Sequence, residues 1–155
     1  MAGPRFKRRA LLLPVAVIVF AVDRLTKVWV QQHLVLHQSE PVLGGAVYLT
    51  HTQNTGMAFS LGASLGGLFL VIALLAVAGI LISYPRLPAG ETWMPVAMGL
   101  VLGGAVGNAY DRVVSGSVTD FIDLRFWPVF NLADSCIVVG ALILIWRLSA
   151  KPDKG

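Results

Sequence analysis

The stretch that decides the fold is Gly103–Asp134, which begins GGAVGNAYDR (Gly103–Arg112), continues through VTDFID (Val118–Asp123) and ends FNLAD (Phe130–Asp134). Four of the chain's eight acidic residues lie in it: Asp111, Asp120, Asp123 and Asp134. Long apolar runs flank the stretch on both sides. Ionisable groups beside a membrane-spanning segment are energetically costly, so they indicate a functional site. The last acid leads directly into an apolar run, which favours a site over a plain polar loop.

The composition is typical of an integral membrane protein. The chain has 155 residues, of which 56% are hydrophobic and only 13% are charged. A soluble domain of this size is less apolar and carries more charge, and the length suits one domain, residues 1–155. The formal charge of +4 does not indicate a nucleic-acid partner, because the basic residues sit near the chain ends and form no stripe with interleaved aromatics. The single cysteine, Cys136, excludes an internal disulfide, and its apolar surroundings favour a small buried hydrophobe.

Four apolar segments are predicted to span the membrane, at approximately residues 10–30, 65–83, 92–110 and 132–147. The first follows a basic N-terminus as a signal peptide does, but it continues past Asp23 without a small-residue cleavage site. In the third, Gly99, Gly103 and Gly107 recur every four residues. These glycines therefore share one helix face and permit close approach of another helix.

The segment Gln31–Ser64 contains no Lys or Arg and is too polar to span a membrane. Its run Ala46–Thr52 is rich in Val, Tyr, Leu and Thr, which predicts a short strand. Asn54–Phe59 resembles a turn that enters the next helix. A zinc site can be imagined from the nearby metal-ligating residues His33, His37, His51 and Glu40. Nothing in their spacing fixes a geometry, so we expect no metal.

Charge and residue counting predict the orientation. The basic ends and the loop at Arg86 are placed in the cytoplasm by the positive-inside rule. Asp23 and Asp134 then each lie ~20 Å from a basic end, at 1.5 Å per residue. Polar residues from separate segments are all expected near this depth, at the outer membrane boundary: Asp23, Asn54, Asn108, Asp111, Asp120, Asn131 and Asp134.

A cluster of carboxylates in a low-dielectric layer suggests paired-acid hydrolysis. When two carboxyls lie close together, one keeps a proton and the other can act as a base toward water. A serine nucleophile is disfavoured, because Ser115 and Ser135 lack a histidine or lysine partner at a recognisable spacing. A small ion- or proton-handling membrane protein and a role in assembly remain alternatives. Spacing alone does not select the pair among the four acids of the central stretch.

Two further interpretations concern the end of the first span. Asp23 and Lys27 are four residues apart, so they share a helix face and could form an ion pair; the alternative is a snorkelling lysine and an acid at the helix end. Arg24 is interpreted as an interfacial anchor.

Five motifs together resemble lipoprotein signal peptidase, the bacterial signal peptidase II family of membrane aspartic proteases. They are DRLTK (Asp23–Lys27), NTGMAF (Asn54–Phe59), GGAVGNAYDR (Gly103–Arg112), VTDF (Val118–Phe121) and FNLAD (Phe130–Asp134). The resemblance covers nearly the whole chain, and no motif position departs from the pattern. It implies a mainly α-helical, four-span membrane fold with a small β-cradle and a short extramembrane helix on the outer face.

The resemblance also implies the functional residues. The catalytic dyad is expected to be Asp120 and Asp134. The surrounding polar shell is expected to be Asn54, Asn108, Arg112 and Asn131, with Asp23, Lys27, Gly104 and Asp111 as structural support. We further hypothesise that the dyad shares one proton and that Arg112 stays off it, since a close cation would favour double ionisation. Asn131 and Asp134 are three apart and are expected to face the same way on the fourth helix.

The remaining implications of the resemblance concern chemistry and location. The expected substrate is a prolipoprotein whose lipobox cysteine carries diacylglycerol, cut just before that cysteine. Globomycin-like cyclic peptides are expected to inhibit the enzyme, membrane lipids are its surroundings, and no metal or organic cofactor is expected. The expected location is the bacterial inner membrane, with both termini cytoplasmic and the site at the outer leaflet.

Overall fold

The fold is taken from a computed structural model that describes residues 10–56, 66–87 and 92–149, without the side chains of residues 66–70. The described parts contain four α-helices: α1 (Leu12–His33), α2 (Gly66–Ser83), α3 (Trp93–Ser115) and α4 (Leu132–Ser149). They also contain three strands: β1 (Ser39–Val42), β2 (Val47–Asn54) and β3 (Val118–Asp123). Short 3₁₀ turns lie at Leu43–Gly45 and Tyr84–Arg86. The short outer-face helix implied by the resemblance stays a prediction.

Helix α3 is central and packs closely against α1 and α4 through glycine. A Cβ placed on Gly103 would lie 2.6 Å from the Ala16 carbonyl oxygen of α1, and one on Gly104 would lie 2.5 Å from the Ala133 carbonyl oxygen of α4. Gly99 meets α1 in the same way, at 2.7 Å from the Leu12 carbonyl oxygen. The predicted close approach through this glycine face is therefore confirmed. Backbones that approach this closely gain van der Waals contact that larger side chains would prevent.

The helix boundaries differ from the prediction at two polar ends. Helix α1 continues to His33 and α3 continues to Ser115, five residues beyond the predicted end at Tyr110. Helix α3 ends where Gly116 adopts φ 71°, and the Gly116 N–H donates to the Arg112 carbonyl. The predicted spans cover the apolar segments alone, and the helices continue past them because polar residues there, such as Lys27 and Asp111, are buried against each other.

Length and apolar composition identify one candidate span among the described helices. This is α4, Leu132–Ser149, while Val71–Arg86 is a shorter apolar helix. The four-span architecture stays a prediction.

The three strands form an antiparallel sheet in the order β1-β2-β3. The predicted strand is confirmed and extends to Asn54. Thr52 of β2 pairs with Asp120 of β3, which sets Asn54 beside that acid. A further bridge joins Ile122 to Phe130 and returns the chain to the start of α4. The sheet therefore positions Asp120, and the chain that leaves it leads to Asp134 at the start of α4.

The turn after β2 is confirmed as far as Gly56. The Gly56 N–H donates to Asn54 Oδ1 at 2.9 Å, and Gly56 has φ 76°, a backbone conformation that favours glycine. The remainder of the predicted turn and the start of the second predicted span, residues 57–65, lie outside the described residues.

Candidate active site

Asp120 and Asp134 are joined by asparagines. Asn131 Nδ2 donates to Asp120 Oδ1 at 2.6 Å, and Asn108 Nδ2 donates to Asp134 Oδ1 at 2.7 Å. Asn131 Nδ2 also donates to Asn108 Oδ1 at 3.2 Å, which links the two halves. Asn54 Nδ2 donates to Asp120 Oδ2 at 3.0 Å. Groups from β2, α3, β3 and the start of α4 thus meet in one network, although the sequence separates them by up to 80 positions.

Asn131 and Asp134 form a reciprocal capping pair at the start of α4. The Asp134 N–H donates to Asn131 Oδ1 at 2.9 Å, and the Asn131 N–H donates to Asp134 Oδ2 at 3.2 Å. Such a pair satisfies backbone donors that the first helical turn leaves free. Asn131 therefore precedes the helix as its N-cap and is fully buried. The prediction that both residues lie on one face of the helix was wrong in this respect.

Asp23 also holds the start of α4, from α1. Its Oδ1 accepts from the Ala133 N–H at 3.0 Å. A carboxylate is favourable at a helix N-terminus, where backbone donors and the helix dipole are positive. Asp23 therefore holds the start of the helix that carries Asp134.

Lys27 joins this support to the acids. Its fully buried ammonium lies 2.8 Å from Asp23 Oδ2, 2.7 Å from Asp111 Oδ2 and 2.9 Å from Asn108 Oδ1. The predicted pairing of Asp23 with Lys27 is confirmed. Three acceptors match the three donors of an ammonium, which offsets the cost of burying the charge.

Arg24 is part of the same network. Its guanidinium pairs with Asp111 and lies 4.8 Å above the ring of Tyr110. The interpretation of Arg24 as an interfacial anchor did not include this pairing, which arises because α3 extends far enough to bring Asp111 opposite α1. Two cations, Arg24 and Lys27, therefore balance two carboxylates, Asp23 and Asp111, and the support network is neutral.

Arg112 lies one helical turn beyond Asn108, so its charge reaches the acids. Its Nη1 donates to the Asn108 carbonyl at 3.2 Å, and the guanidinium interacts electrostatically with Asp134, Asp120 and Asp111. The hypothesis expected this cation to stay off the pair. The extra helical turn of α3 instead places its charge within range of both acids.

Asp120 and Asp123 lie on one strand in different electrostatic surroundings. Burial raises the pKa of Asp120 to about 6, and the charge of Asp134 adds to the rise, against the opposing effects of the Asn54 and Asn131 amides and of Lys27. Burial also raises the pKa of Asp123, but the Arg125 N–H, the Thr50 hydroxyl and the Arg125 charge outweigh it, so the net shift is downward. Asp120 can therefore hold a proton near neutral pH, whereas Asp123 is held ionised by its partners.

An apolar groove of about 400 Å³ opens beside Asp134. The loop between β3 and α4 forms one wall with Leu124, Phe126, Trp127 and Phe130, and α4 forms the other with Ser135, Val138 and Val139. This groove was not predicted from the sequence. The available signal was the pair Phe126-Trp127, two large aromatic residues between two polar motifs. In the structure these residues are 83% and 63% exposed.

The histidines of the outer segment do not converge. His33 Nδ1 is 2.8 Å from the Trp29 carbonyl, and His51 Nδ1 is 2.9 Å from the Leu34 carbonyl. Glu40 accepts from Gln38. Within the described residues there is no group of three or more His, Cys, Asp or Glu that could hold a metal.

Comparison with known proteins places this geometry in context. A family model described as signal peptidase (SPase) II matches residues 15–150. A lipoprotein signal peptidase of Pelotomaculum thermopropionicum is 41% identical over 143 residues, which is 92% of this chain and 94% of that protein. The lipoprotein signal peptidase of Pseudomonas aeruginosa strain PAO1 is 42% identical over 139 residues, covering 84% of this chain and 82% of that protein.

Solved structures give the same result. Two structures described as bacterial membrane enzymes, obtained by the in meso method, superpose with TM-scores of 0.81 and 0.80. Their sequences are 28% and 29% identical to this chain. The first match covers 88% of this chain and 91% of the other, and the second covers 91% of each.

Proposed function

The chain belongs to the signal peptidase II family, and from that premise we propose that Asp120 and Asp134 are the catalytic pair with which it hydrolyses prolipoproteins. Membership makes it a bacterial membrane peptidase of the aspartic type that removes prolipoprotein signal peptides. The ion- or proton-handling alternative has no support among the relatives.

The observation that carries the assignment is the hydrogen bonding of the two carboxyls. Each of their four oxygens accepts from an asparagine amide or from the Asn131 N–H. Donors arranged in this way hold both acids in fixed positions while leaving further lone pairs for water and substrate. No other two acids of the central stretch are held by this set of asparagines among the described residues.

The surroundings of the two acids assign different roles to them. Asp134 lies in the first turn of α4, where a negative charge is favoured, and it is proposed as the general base. Asp120 has a pKa of about 6 and is proposed to hold the shared proton as the general acid. Water bound between them attacks the scissile carbonyl as Asp134 accepts its proton. Asp120 then protonates the leaving amine as the C–N bond breaks, and no covalent intermediate forms.

The proposed substrate is a prolipoprotein whose cysteine carries diacylglycerol, cut just before that cysteine. The apolar groove beside Asp134 supports an apolar substrate, because its walls are aromatic and aliphatic. Cleavage of a purified diacylglyceryl-prolipoprotein in detergent, followed by gel shift, tests the proposal. Its matched control is the same precursor without the lipid, for which we expect no cleavage. Equal cleavage of both precursors would contradict the lipid requirement.

The proposed location follows from the same premise. We place the single domain in the bacterial inner membrane, with α1, α2, α3 and α4 as four spans and both termini in the cytoplasm. The outer surfaces of these helices are apolar, with exposed residues such as Leu13 on α1, Leu75 on α2 and Leu142 on α4. The acids then lie at the outer boundary, where a lipidated peptide can present its bond while its acyl chains stay in the bilayer. Globomycin-like cyclic peptides are expected to compete for this site.

The pH dependence of kcat/KM is expected to show an alkaline limb near the pKa of Asp120, at about 6 in the free enzyme. Because its pKa is raised, Asp120 keeps its proton below about pH 6. The enzyme therefore loses activity as the pH rises through this pKa. Bound substrate excludes water and raises the pKa further, so the alkaline limb of kcat is expected at higher pH than that of kcat/KM. Initial rates of precursor cleavage between pH 4 and 9 measure both limbs.

Asn54→Ala tests this assignment directly. The Asn54 amide lowers the pKa of Asp120, so its removal is expected to move the alkaline limb to higher pH. Thr52→Val is the matched control, because Thr52 Oγ1 donates to the backbone carbonyl of Asp120 at 3.3 Å and does not bond its carboxyl. The assignment is wrong if the Thr52 variant moves the limb as far as the Asn54 variant does.

A further inference from the structure

We propose that Lys27 is a positioning residue for the reaction. Its ammonium fixes the orientation of the Asn108 carboxamide, so that the amide N–H faces Asp134. This inference rests on the proposed role of Asp134 as the base. It extends the role of Lys27 beyond structural support, since the orientation of Asn108 determines how the base is solvated.

The ammonium of Lys27 can hold the Asn108 carboxamide in only one orientation. It carries three donors and no acceptor, and Lys27 Nζ lies 2.9 Å from the carboxamide of Asn108. Only the amide oxygen can face it favourably. The amide nitrogen must then face the other way, where it lies 2.7 Å from Asp134 Oδ1. A flipped amide would set N–H against ammonium and oxygen against carboxylate, and both contacts would be repulsive.

The other two asparagines follow the same rule with backbone donors. Asn131 Oδ1 accepts from the Asp134 N–H, and Asn54 Oδ1 accepts from the Gly56 N–H. A backbone N–H can only donate, so each amide oxygen is fixed and each NH₂ group turns toward an acid. All three carboxamides therefore present donors to the catalytic pair. Only for Asn108 is the fixing group a side chain, so only there can a substitution remove it.

The charged groups around Asp134 and Lys27 are those already described. Asp120 faces Asp134 from β3, and Arg112 faces it from α3. Lys27 on α1 is faced by Asp23 of α1 and Asp111 of α3, and Asp111 also pairs with Arg24 of α1. Lys27 further interacts electrostatically with Asp120. A substitution at Lys27 must therefore keep the network neutral if its effect on Asn108 is to be isolated.

The test is the double variant Lys27→Met with Asp23→Asn. It removes one cation and one anion, leaves the Asp111–Arg24 pair in place, and retains an oxygen at position 23 for the Ala133 N–H. Without the ammonium, the Asn108 oxygen keeps only the longer bond from Asn131 Nδ2, at 3.2 Å, so the amide can turn this oxygen toward Asp134, which disfavours the carboxylate. The acid limb of kcat/KM is expected to move to higher pH, and kcat to fall roughly tenfold, comparable to losing one hydrogen bond to a charged group.

Arg24→Gln with Asp111→Asn is the matched control. It also removes one ion pair from the network, but it leaves Lys27 bonded to Asp23 and to Asn108. It is expected to lower the thermal unfolding temperature without moving the acid limb. A shift of the limb in this control as large as that of the Lys27 variant would overturn the inference. A fall of kcat in the Lys27 variant with no movement of its acid limb would overturn it as well.

A second variant covers the possibility that methionine is not tolerated. Lys27→Gln with Asp23→Asn retains a donor that can reach Asn108 Oδ1, although its amide can also flip. Its acid limb is expected between those of the parent and the methionine variant, and identical limbs in the two variants would contradict the donor argument. If Asp134→Asn keeps the parental acid limb, the base role itself fails. If Asp134→Asn abolishes cleavage while the limb stays fixed in both Lys27 variants, only the Lys27 inference fails.

Discussion

Replacing Asp134 with asparagine is expected to reduce cleavage of a diacylglyceryl-prolipoprotein on the order of 10³-fold, the scale of lost general acid–base catalysis. An amide cannot accept the proton of the attacking water. Asp120→Asn is expected to be as damaging, because the leaving amine then has no proton donor. Each rate is measured by gel shift with purified enzyme in detergent at a fixed pH below 6.

The fold is expected to survive the Asp134 substitution. The amide oxygen of an asparagine at position 134 can still accept from the Asn131 N–H, so the capping pair at the start of α4 is retained. Loss of rate with an unchanged thermal unfolding temperature then reports chemistry and not folding. A non-catalytic receptor for lipidated peptides would bind the precursor but never cut it, even as the parent protein. Cleavage by the parent, together with binding but no cleavage by both asparagine variants, therefore separates catalysis from a receptor role.

Asp123→Asn is the matched control for the Asp120 variant. Asp123 lies on the same strand and is buried, but its carboxylate is held by Thr50 and by the Arg125 N–H. We expect its cleavage rate to stay within a few-fold of the parent. Rapid cleavage by the Asp120 variant together with an inactive Asp123 variant would move the catalytic pair to other acids of the central stretch.

The sequence predicted which residues meet at the site better than it predicted their hydrogen-bond and ion-pair partners. Residue counting placed seven polar residues from separate segments near one depth, and the structure joins all of them through hydrogen bonds and ion pairs: Asp23, Asn54, Asn108, Asp111, Asp120, Asn131 and Asp134. Counting works because helix rise is constant along an apolar segment. Their chemical roles stay predictions.

The partners within this set could not be predicted, because they depend on how one helix is rotated against another. Spacing of four residues predicted that Lys27 meets Asp23, but nothing in α1 alone indicates that it also meets Asn108. For the same reason the ion pair of Arg24 was not predicted, since its partner lies on α3. Asn131 was expected to face the same way as Asp134 on the fourth helix, although the predicted span begins at residue 132, and only the backbone shows that Asn131 precedes the helix as its N-cap.

Gly104→Ala is expected to have the other large effect, since it would separate the two helices that carry the catalytic network. The new Cβ would lie 2.5 Å from the Ala133 carbonyl oxygen, a backbone atom that cannot rotate away. Such overpacking costs about 1–3 kcal/mol. Thermal unfolding in detergent measures the stability, and precursor cleavage under the same conditions measures the activity.

Activity is expected to fall further than stability does. Ala133 immediately precedes Asp134, and Gly104 lies one helical turn before Asn108, so the clash acts on both ends of a 2.7 Å hydrogen bond. A displacement near 1 Å at reacting groups can reduce the rate about 10²-fold. Gly79→Ala on α2 is the control, because a Cβ there meets nothing within 4 Å, and we expect unchanged cleavage with equal or slightly greater stability. Cleavage by the Gly104 variant within twofold of the parent would show that the α3–α4 contact does not set the geometry of the pair. A lower unfolding temperature with an unchanged cleavage rate would lead to the same conclusion, because the backbone would then have relaxed without displacing Asp134.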